Sequence, residues 1–133
     1  MATLIDSSVV IAAERGAFDI GDLVNRDPNE VFALSAVGAA ELFHGLHRAR
    51  NAAQRIRREA FLNFVLEMMP VLPFDLPEAR VFAELWARLL RAGTQIAERD
   101  LMIAATALAR GYNVATLDAR SFPRIPGLRV LKL

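Results

Sequence analysis

Four acidic residues lie next to or inside apolar stretches, where an ionised side chain is hardest to explain. They are Asp6 after the run 2–5, Glu41 inside the run 36–43, Asp100 before the run 101–105, and Asp118 at the end of the run 114–117. Burying a carboxylate without a partner costs several kcal/mol, so such residues are rare unless something compensates the charge. Four of them together suggest one shared site in which the charges meet a cation.

The chemistry of such a site follows from its ligands. Carboxylates with water are the ligand set that suits Mg²⁺ or Mn²⁺. These ions can lower the pKa of bound water, generate a nucleophile and stabilise a phosphoryl oxygen. Without a cation the carboxylates would repel one another and some would take up protons. The small hydroxyls of Ser7 and Thr116, close in sequence to Asp6 and Asp118, could orient a metal-bound water.

Each of the four acids also has an ordinary structural explanation. Asp6 could cap the first helix, and Asp118 could be a turn residue before Arg120. Asp100 could be a charge favoured by the dipole at the start of a helix. Glu41 has fewer alternatives, since an interior glutamate among small apolar residues is otherwise explained mainly by a buried pair with an arginine.

The elements that would position these acids alternate between strands and helices. Predicted strands cover about 3–5, 31–34, 71–72, 114–117 and 128–131; predicted helices cover about 7–15, a short segment ending near 26, 36–48, 52–68, 76–90 and 98–109. Ser35 is a predicted helix cap, and Gly93 and Gly111 are predicted helix ends. Trp86 is predicted on the apolar side of the helix over 76–90.

This alternation predicts an α/β fold with a parallel sheet covered on both faces. Sites in open sheets of this kind form beyond the carboxyl ends of the strands. Asp6 and Asp118 each follow a predicted strand, Asp100 lies in the first turn of a helix, and Glu41 lies about two turns into another. The spacing therefore allows all four acids to converge, although it does not require it.

Composition limits the remaining classes. The 133 residues form one predicted domain, 1–133, and 54% hydrophobic residues with a mean hydropathy of +0.28 indicate a globular protein. The absence of cysteine excludes disulfides and thiolate chemistry. No apolar run reaches the length of a membrane span and no signal peptide is visible, so we expect a cytoplasmic protein.

The basic residues are unusual in type. The net charge is only +1, but fifteen of the sixteen basic residues are arginine, with Lys132 the exception. Arginine favours bidentate phosphate contacts, although GC-rich coding would produce the same bias. A run of arginines could bind RNA phosphates or form a solvated helix face; it comprises Arg48, Arg50, Arg55, Arg57 and Arg58. His44 and His47 are a weak candidate pair for zinc, since they lack a third histidine.

Five short motifs follow one another along the chain in a specific order and spacing. They are the segments 4–8, 39–46, 93–109, 114–118 and 122–128. At these positions the chain resembles the PIN-domain family, and within it the VapC-type toxins of bacterial toxin–antitoxin modules. The resemblance extends over nearly the whole chain.

The resemblance implies a PIN-like three-layer α/β/α sandwich with a central, mostly parallel sheet. It further implies a metal-dependent endoribonuclease that uses Mg²⁺ or Mn²⁺, acts on RNA as a homodimer, and is inhibited by a cognate VapB-like antitoxin. The family's catalytic and metal-binding acids would correspond to Asp6, Glu41, Asp100 and Asp118. Many members carry an acid immediately before the phenylalanine that corresponds to Phe122, whereas this chain has Ser121. The role of Asp118 is therefore the least secure of the four.

Two alternatives come from other functional classes. One is a PIN-fold module that binds RNA or an antitoxin without catalysis. The other is a phosphoacceptor signalling domain, in which Asp75 would also follow a strand. That domain would need a lysine near its last strands to contact the phosphoryl group, and Lys132 lies one residue from the end of the sequence. An aspartyl-nucleophile phosphatase would need a second aspartate where Ser8 stands.

Overall fold

A five-stranded parallel sheet forms the centre of the structure, which is a computed structural model describing residues 1–133. The strands are β1 Ala2–Ile5, β2 Val31–Ser35, β3 Val71–Leu72, β4 Asn113–Thr116 and β5 Val130–Lys132. Their order across the sheet is β3-β2-β1-β4-β5, and every neighbouring pair is parallel. Helices flank this sheet, so the predicted three-layer α/β/α class is confirmed.

The central strand, β1, is apolar because both faces of the sheet are buried at this position. Leu4 and Ile5 point to opposite faces because side chains alternate along a strand, yet both are fully buried. Leu4 packs in a core with Leu85, Ile103 and other residues of two helices near the C-terminus. Ile5 packs in a second core with residues such as Val65. The sheet therefore separates two hydrophobic cores.

Six helices connect the strands. They are α1 Ser7–Glu14, α2 Ile20–Asn25, α3 Ala36–His47, α4 Ala52–Met68, α5 Leu76–Ala92 and α6 Glu98–Arg110. The predicted boundaries are confirmed where the sequence carries a specific signal. Ser35 Oγ accepts a hydrogen bond from Gly38 N at 2.8 Å, which caps α3. Gly93 and Gly111 end α5 and α6 with φ of 69° and 71°, a left-handed conformation that glycine adopts without a Cβ clash.

Two predictions for the outer parts of the fold were wrong. The last strand begins at Val130 rather than at Leu128, because Gly127 turns with φ of 79° and Leu128 packs on the core from this turn. Trp86 is 53% exposed, because it lies on the outer part of α5, where its ring contacts Phe82 at a centroid distance of 5.8 Å. No helix is long and apolar enough to span a membrane.

The order of the strands determines where a site can form. The chain proceeds from β1 to β2 and β3 on one side, then returns to place β4 and β5 on the other side of β1. Crossovers therefore leave the β1–β4 boundary in opposite directions, which opens a crevice at the carboxyl ends of these strands. Asp6 follows β1 and Asp118 follows β4, so both acids lie at this crevice.

Candidate active site

Asp6 is buried at the end of β1, with only 5% of its surface exposed. It occupies the N-cap position of α1, but its side chain makes no capping hydrogen bond. Its Oδ2 instead accepts hydrogen bonds from Ser8 Oγ at 2.7 Å and Thr116 Oγ1 at 2.9 Å. The capping explanation is therefore wrong, and the carboxylate is held by hydroxyls from both sides of the crevice.

The two hydroxyls also tie the β1 and β4 ends together. Leu117 N donates to Ser8 Oγ at 3.2 Å, and Asp118 N donates to Thr116 Oγ1 at 2.9 Å. The Thr116 hydroxyl, which the sequence suggested could orient a metal-bound water, donates a hydrogen bond to Asp6 in this structure. Ser8 was not predicted as a site residue. Its signal was its position two residues after Asp6 at a strand-to-helix turn, where a short hydroxyl folds back onto the carboxylate.

Glu41 reaches the crevice from α3 and is partly buried. Its Oε1 accepts a hydrogen bond from Ser7 Oγ at 3.1 Å, and its Oε2 lies 3.4 Å from Arg99 Nε. Burial raises the pKa of Glu41; the Ser7 bond opposes this rise, while the negative charge of Asp6 adds to it. Arg99 is 74% exposed, so its pair with Glu41 is not the buried pair that the sequence left open as an alternative.

Asp100 lies in the first turn of α6, partly buried and with no ion pair within 4 Å. Burial raises the pKa of Asp100, the Ser121 side chain lowers it, and the charges of Asp6 and Asp118 raise it again. A helix dipole alone would stabilise the ionised form at this end of a helix. The pKa of Asp100 is nevertheless raised, first by burial and then by the two neighbouring acids.

Asp118 has a different environment. Its Oδ1 accepts hydrogen bonds from the backbone N of Arg120 at 2.9 Å and from Arg120 Nε at 3.1 Å. These contacts hold the pKa of Asp118 below its usual range. Asp118 is therefore a turn residue in its local geometry. Its negative charge also contributes to the raised pKa of Asp100.

The four predicted acids thus lie along one rim, where the charges of neighbouring acids raise the pKa of Glu41 and of Asp100. The charge of Asp6 contributes to the raised pKa of both Glu41 and Asp100, and the charge of Asp118 contributes to that of Asp100. No three of these side chains converge closely enough to form a ready metal-binding group. A Mg²⁺-like ion usually keeps several waters and takes only one or two protein carboxylates, so this donor set still fits one. Asp6 and Asp100 are the acids best suited to it, since neither has a cationic partner.

A groove of about 870 Å³ adjoins Glu41 and extends between α1, α3 and α4. His44 lines this groove and His47 does not. The groove is rich in arginine: it is lined by Arg15, Arg48, Arg50, Arg58 and Arg99. Of the arginine run noted in the sequence, Arg55 and Arg57 lie outside it.

Comparison with known proteins defines the class to which this fold and site belong. The model of the PIN domain matches residues 3–128, so the chain belongs to the PIN-domain family. Within that family the chain is similar to ribonuclease VapC1 of Rickettsia felis, with 34% identity over 131 residues that cover 98% of this chain and 96% of that protein. It is also 37% identical to ribonuclease VapC5 of Mycobacterium tuberculosis over 117 residues, which cover 88% and 83% of the two chains.

Solved structures agree with this placement. A chain in the crystal structure of VapBC-5 from Mycobacterium tuberculosis is 32% identical and superposes with a TM-score of 0.77, covering 99% of this chain and 97% of that one. A chain of VapBC2 from Rickettsia felis, crystallised with a promoter DNA fragment, gives a TM-score of 0.90 at 23% identity, covering 100% and 99%. The latter likeness shows the fold alone.

Proposed function

We propose that this chain, acting over residues 1–133 as one PIN-like domain, is a VapC-type endoribonuclease that hydrolyses RNA phosphodiester bonds with a divalent metal ion. The observation that carries the proposal is the acidic rim. Two of its carboxyls, Glu41 and Asp100, have raised pKa values because burial and neighbouring acids disfavour their charge. Ionised carboxylates in such a setting favour a divalent cation, and the VapC relatives are ribonucleases.

The proposed metal ligands are Asp6 and Asp100, with Glu41 and Asp118 completing the site directly or through water. Mg²⁺ or Mn²⁺ suits these oxygen donors. When bound, such an ion supplies Lewis-acid stabilisation of the phosphate and a lowered pKa for water.

The chain's own side chains prepare this site. Ser8 and Thr116 hold Asp6 through Oδ2, which leaves Oδ1 without a hydrogen bond from the protein and open to a ligand. Ser7 fixes Glu41 through Oε1. The proposed role of Glu41 is to accept a proton from the attacking water through Oε2, once Arg99 moves away.

The proposed partners are RNA, a second copy of the chain and a cognate VapB-like antitoxin. The solved relatives from Mycobacterium tuberculosis and Rickettsia felis are VapBC complexes. An acidic rim would attract an arginine or lysine of an inhibitor. Arg99 on Glu41 and Arg120 on Asp118 show that guanidinium groups already neutralise acids of this rim.

The test is cleavage of a panel of RNAs by the purified chain, with divalent metal and with EDTA. We expect EDTA to abolish cleavage and Mg²⁺ or Mn²⁺ to restore it. Asp6→Asn should lose at least about 100-fold in rate, the scale of loss when a group that stabilises the transition state is removed. Asp75→Asn is the matched control, because Asp75 is exposed and its side chain makes no hydrogen bond.

The same experiment separates the alternatives. Full activity in EDTA would exclude the metal mechanism. Binding of RNA without cleavage in any metal would favour a non-catalytic module. Neither cleavage nor binding of any RNA would favour the phosphoacceptor domain.

A further inference from the structure

Two segments that are neither helix nor strand lead to the acids on one side of the rim. The exit segment, residues 117–121, follows β4 and carries Asp118. The entry segment, residues 94–97, precedes α6, which carries Asp100 in its first turn. Neither segment belongs to the sheet, so the hydrogen bonds of the sheet do not fix these two carboxylates relative to each other. A contact between the two segments can do so directly.

Arg124 makes that contact. Its Nη2 donates to the Gln95 carbonyl of the entry segment at 2.9 Å, and its Nε donates to the Arg120 carbonyl of the exit segment at 2.8 Å. These two nitrogens lie on one edge of the planar guanidinium, so a single rigid group holds both carbonyls at once. No carboxylate lies within 4 Å of Arg124 to compete for these donors.

The exit segment, which Arg124 holds, contacts both acids. Arg120 binds Asp118 Oδ1 through its backbone N at 2.9 Å and through its Nε at 3.1 Å. Ser121, in the same segment, is buried, and its side chain hydrogen-bonds with Asp100. A displacement of the exit segment would therefore move the groups that hold Asp118 and Asp100.

The backbone at Arg124 is fixed independently of its side chain. Phe122 and Ile125, on either side of it, are buried in the core that also contains Leu101 of α6. Arg124 itself is exposed. Removal of its guanidinium should therefore release the two segments from each other and leave the core in place.

We propose that Arg124 is a positioning residue for the acidic rim. By joining the entry and exit segments, it holds Asp100 and Asp118 where both can serve one divalent ion, directly or through water. This inference rests on the proposed ribonuclease function and adds a residue that acts through the two segments without touching the ion.

The test compares Arg124→Gln with Arg129→Gln, which removes the same charge from an exposed arginine outside both segments. Arg124→Lys is the conservative variant, because lysine keeps the charge but replaces the planar fork by a single nitrogen. Circular dichroism and thermal melts establish folding. We expect all three variants to melt within about 5 °C of wild type, since each change is at the surface. If Arg124→Gln does not fold, Arg124→Lys carries the same comparisons.

Mn²⁺ affinity without RNA is the first measurement, followed by electron paramagnetic resonance. We expect Arg124→Gln to bind Mn²⁺ about tenfold more weakly, the scale of loss when a group that orients metal ligands is removed. Arg124→Lys should lie between this variant and wild type, and Arg129→Gln should stay within about twofold of wild type. Loss of a positive charge by itself would favour cation binding, so the expected change is opposite to a simple charge effect.

Amide hydrogen exchange followed by NMR reports on the segments directly. The Arg120 amide, which donates to Asp118 Oδ1, should exchange at least about fivefold faster in Arg124→Gln, because the exit segment opens more often. The Asp6 amide, which donates to the Ala115 carbonyl, should exchange as in wild type, since it belongs to the sheet. Unchanged exchange of the Arg120 amide would contradict the proposal.

Cleavage of RNA at saturating Mn²⁺ completes the test. In Arg124→Gln we expect kcat to fall about tenfold with KM nearly unchanged, because a misplaced ligand slows the reaction more than it weakens RNA binding. A raised KM with unchanged Mn²⁺ affinity would overturn the proposal and make Arg124 an RNA contact. Unchanged Mn²⁺ affinity with normal cleavage would overturn it and leave the ribonuclease function standing. If wild type cleaves no RNA but Arg124→Gln binds Mn²⁺ more weakly than wild type, the positioning proposal holds and the ribonuclease proposal fails.

Discussion

At the scale of single residues, two acids of the rim reduce the stability of the fold when they are ionised. Glu41 and Asp100 have pKa values above their usual range, so the folded state favours their protonated forms more than the unfolded state does. As pH rises through these raised values, ionisation therefore lowers the free energy of unfolding. Stability is thus reduced at neutral pH at the positions proposed for function.

Replacing either acid by its neutral amide should restore the stability lost on ionisation. We expect Glu41→Gln and Asp100→Asn each to raise the Tm in EDTA at pH 7 while losing most RNA cleavage. The gain should shrink as pH falls through the raised pKa values, because the wild-type carboxyls then become neutral too. Thermal melts across this pH range, with Asp75→Asn as control, measure the effect. Unfolding of both variants at pH 7 would instead indicate that these acids form structural pairs.

Arg99 should compete with a metal ion for Glu41. Its Nε lies 3.4 Å from Glu41 Oε2. We expect Arg99→Gln to bind Mn²⁺ more tightly, by at most about fivefold, since an exposed ion pair contributes about 1 kcal/mol or less. Titration followed by electron paramagnetic resonance measures this affinity, with the exposed Arg91→Gln as control. Weaker Mn²⁺ binding by Arg99→Gln would mean that Arg99 supports the ion site rather than competing with it.

At the scale of elements, one ion pair joins the two long helices near the C-terminus. Glu78 of α5 is fully buried, and its Oε1 accepts hydrogen bonds from Arg110 of α6 at 2.9 and 3.3 Å. Burial by itself would raise the pKa of Glu78, but Arg110 and backbone donors outweigh it and hold that pKa below its usual range. The pair fixes α6, which carries Asp100 at its other end.

Removing one partner should destabilise the fold. We expect Arg110→Met to lower the Tm by about 10 °C, because it leaves a buried carboxylate without its cation. The double variant with Glu78→Gln should recover part of this loss. Because the pKa of Glu78 is lowered on folding, its contribution is present above the usual glutamate value of about 4.3 and is lost as pH falls through the folded pKa. Melts at pH 7 and in acid test this, and a single variant as stable as wild type would contradict it.

The elements show what a sequence can and cannot reveal. Local signals predicted α3 and α5 well, because Ser35 and Gly93 act within a turn of the residues they cap. The predicted rim followed from strands that end shortly before Asp6 and Asp118. The contacts that complete the site join residues far apart in sequence, such as Thr116 with Asp6, and these depend on how the elements pack. The Glu78–Arg110 pair was not predicted for the same reason.

At the scale of the whole molecule, the strand order brings opposite charges side by side. The β1–β4 boundary gathers the acids at one rim, while the ends of α1 and α3 place Arg15 and Arg48 in the adjoining groove. The net charge of +1 conceals this separation.

Ribonuclease activity at this site should make the chain toxic to bacteria when it is produced alone. We expect wild-type expression to slow growth, and Asp100→Asn to relieve the effect because it removes a proposed metal ligand without disturbing an ion pair. Asp75→Asn should remain toxic. Co-expression of the cognate antitoxin should restore growth, since a cationic inhibitor side chain would neutralise the acidic rim. The measurement is growth after induction at matched protein levels. If wild type and Asp100→Asn were equally harmless there, the toxin proposal would fail, and a nuclease of narrower substrate range or a binding module would explain the structure better.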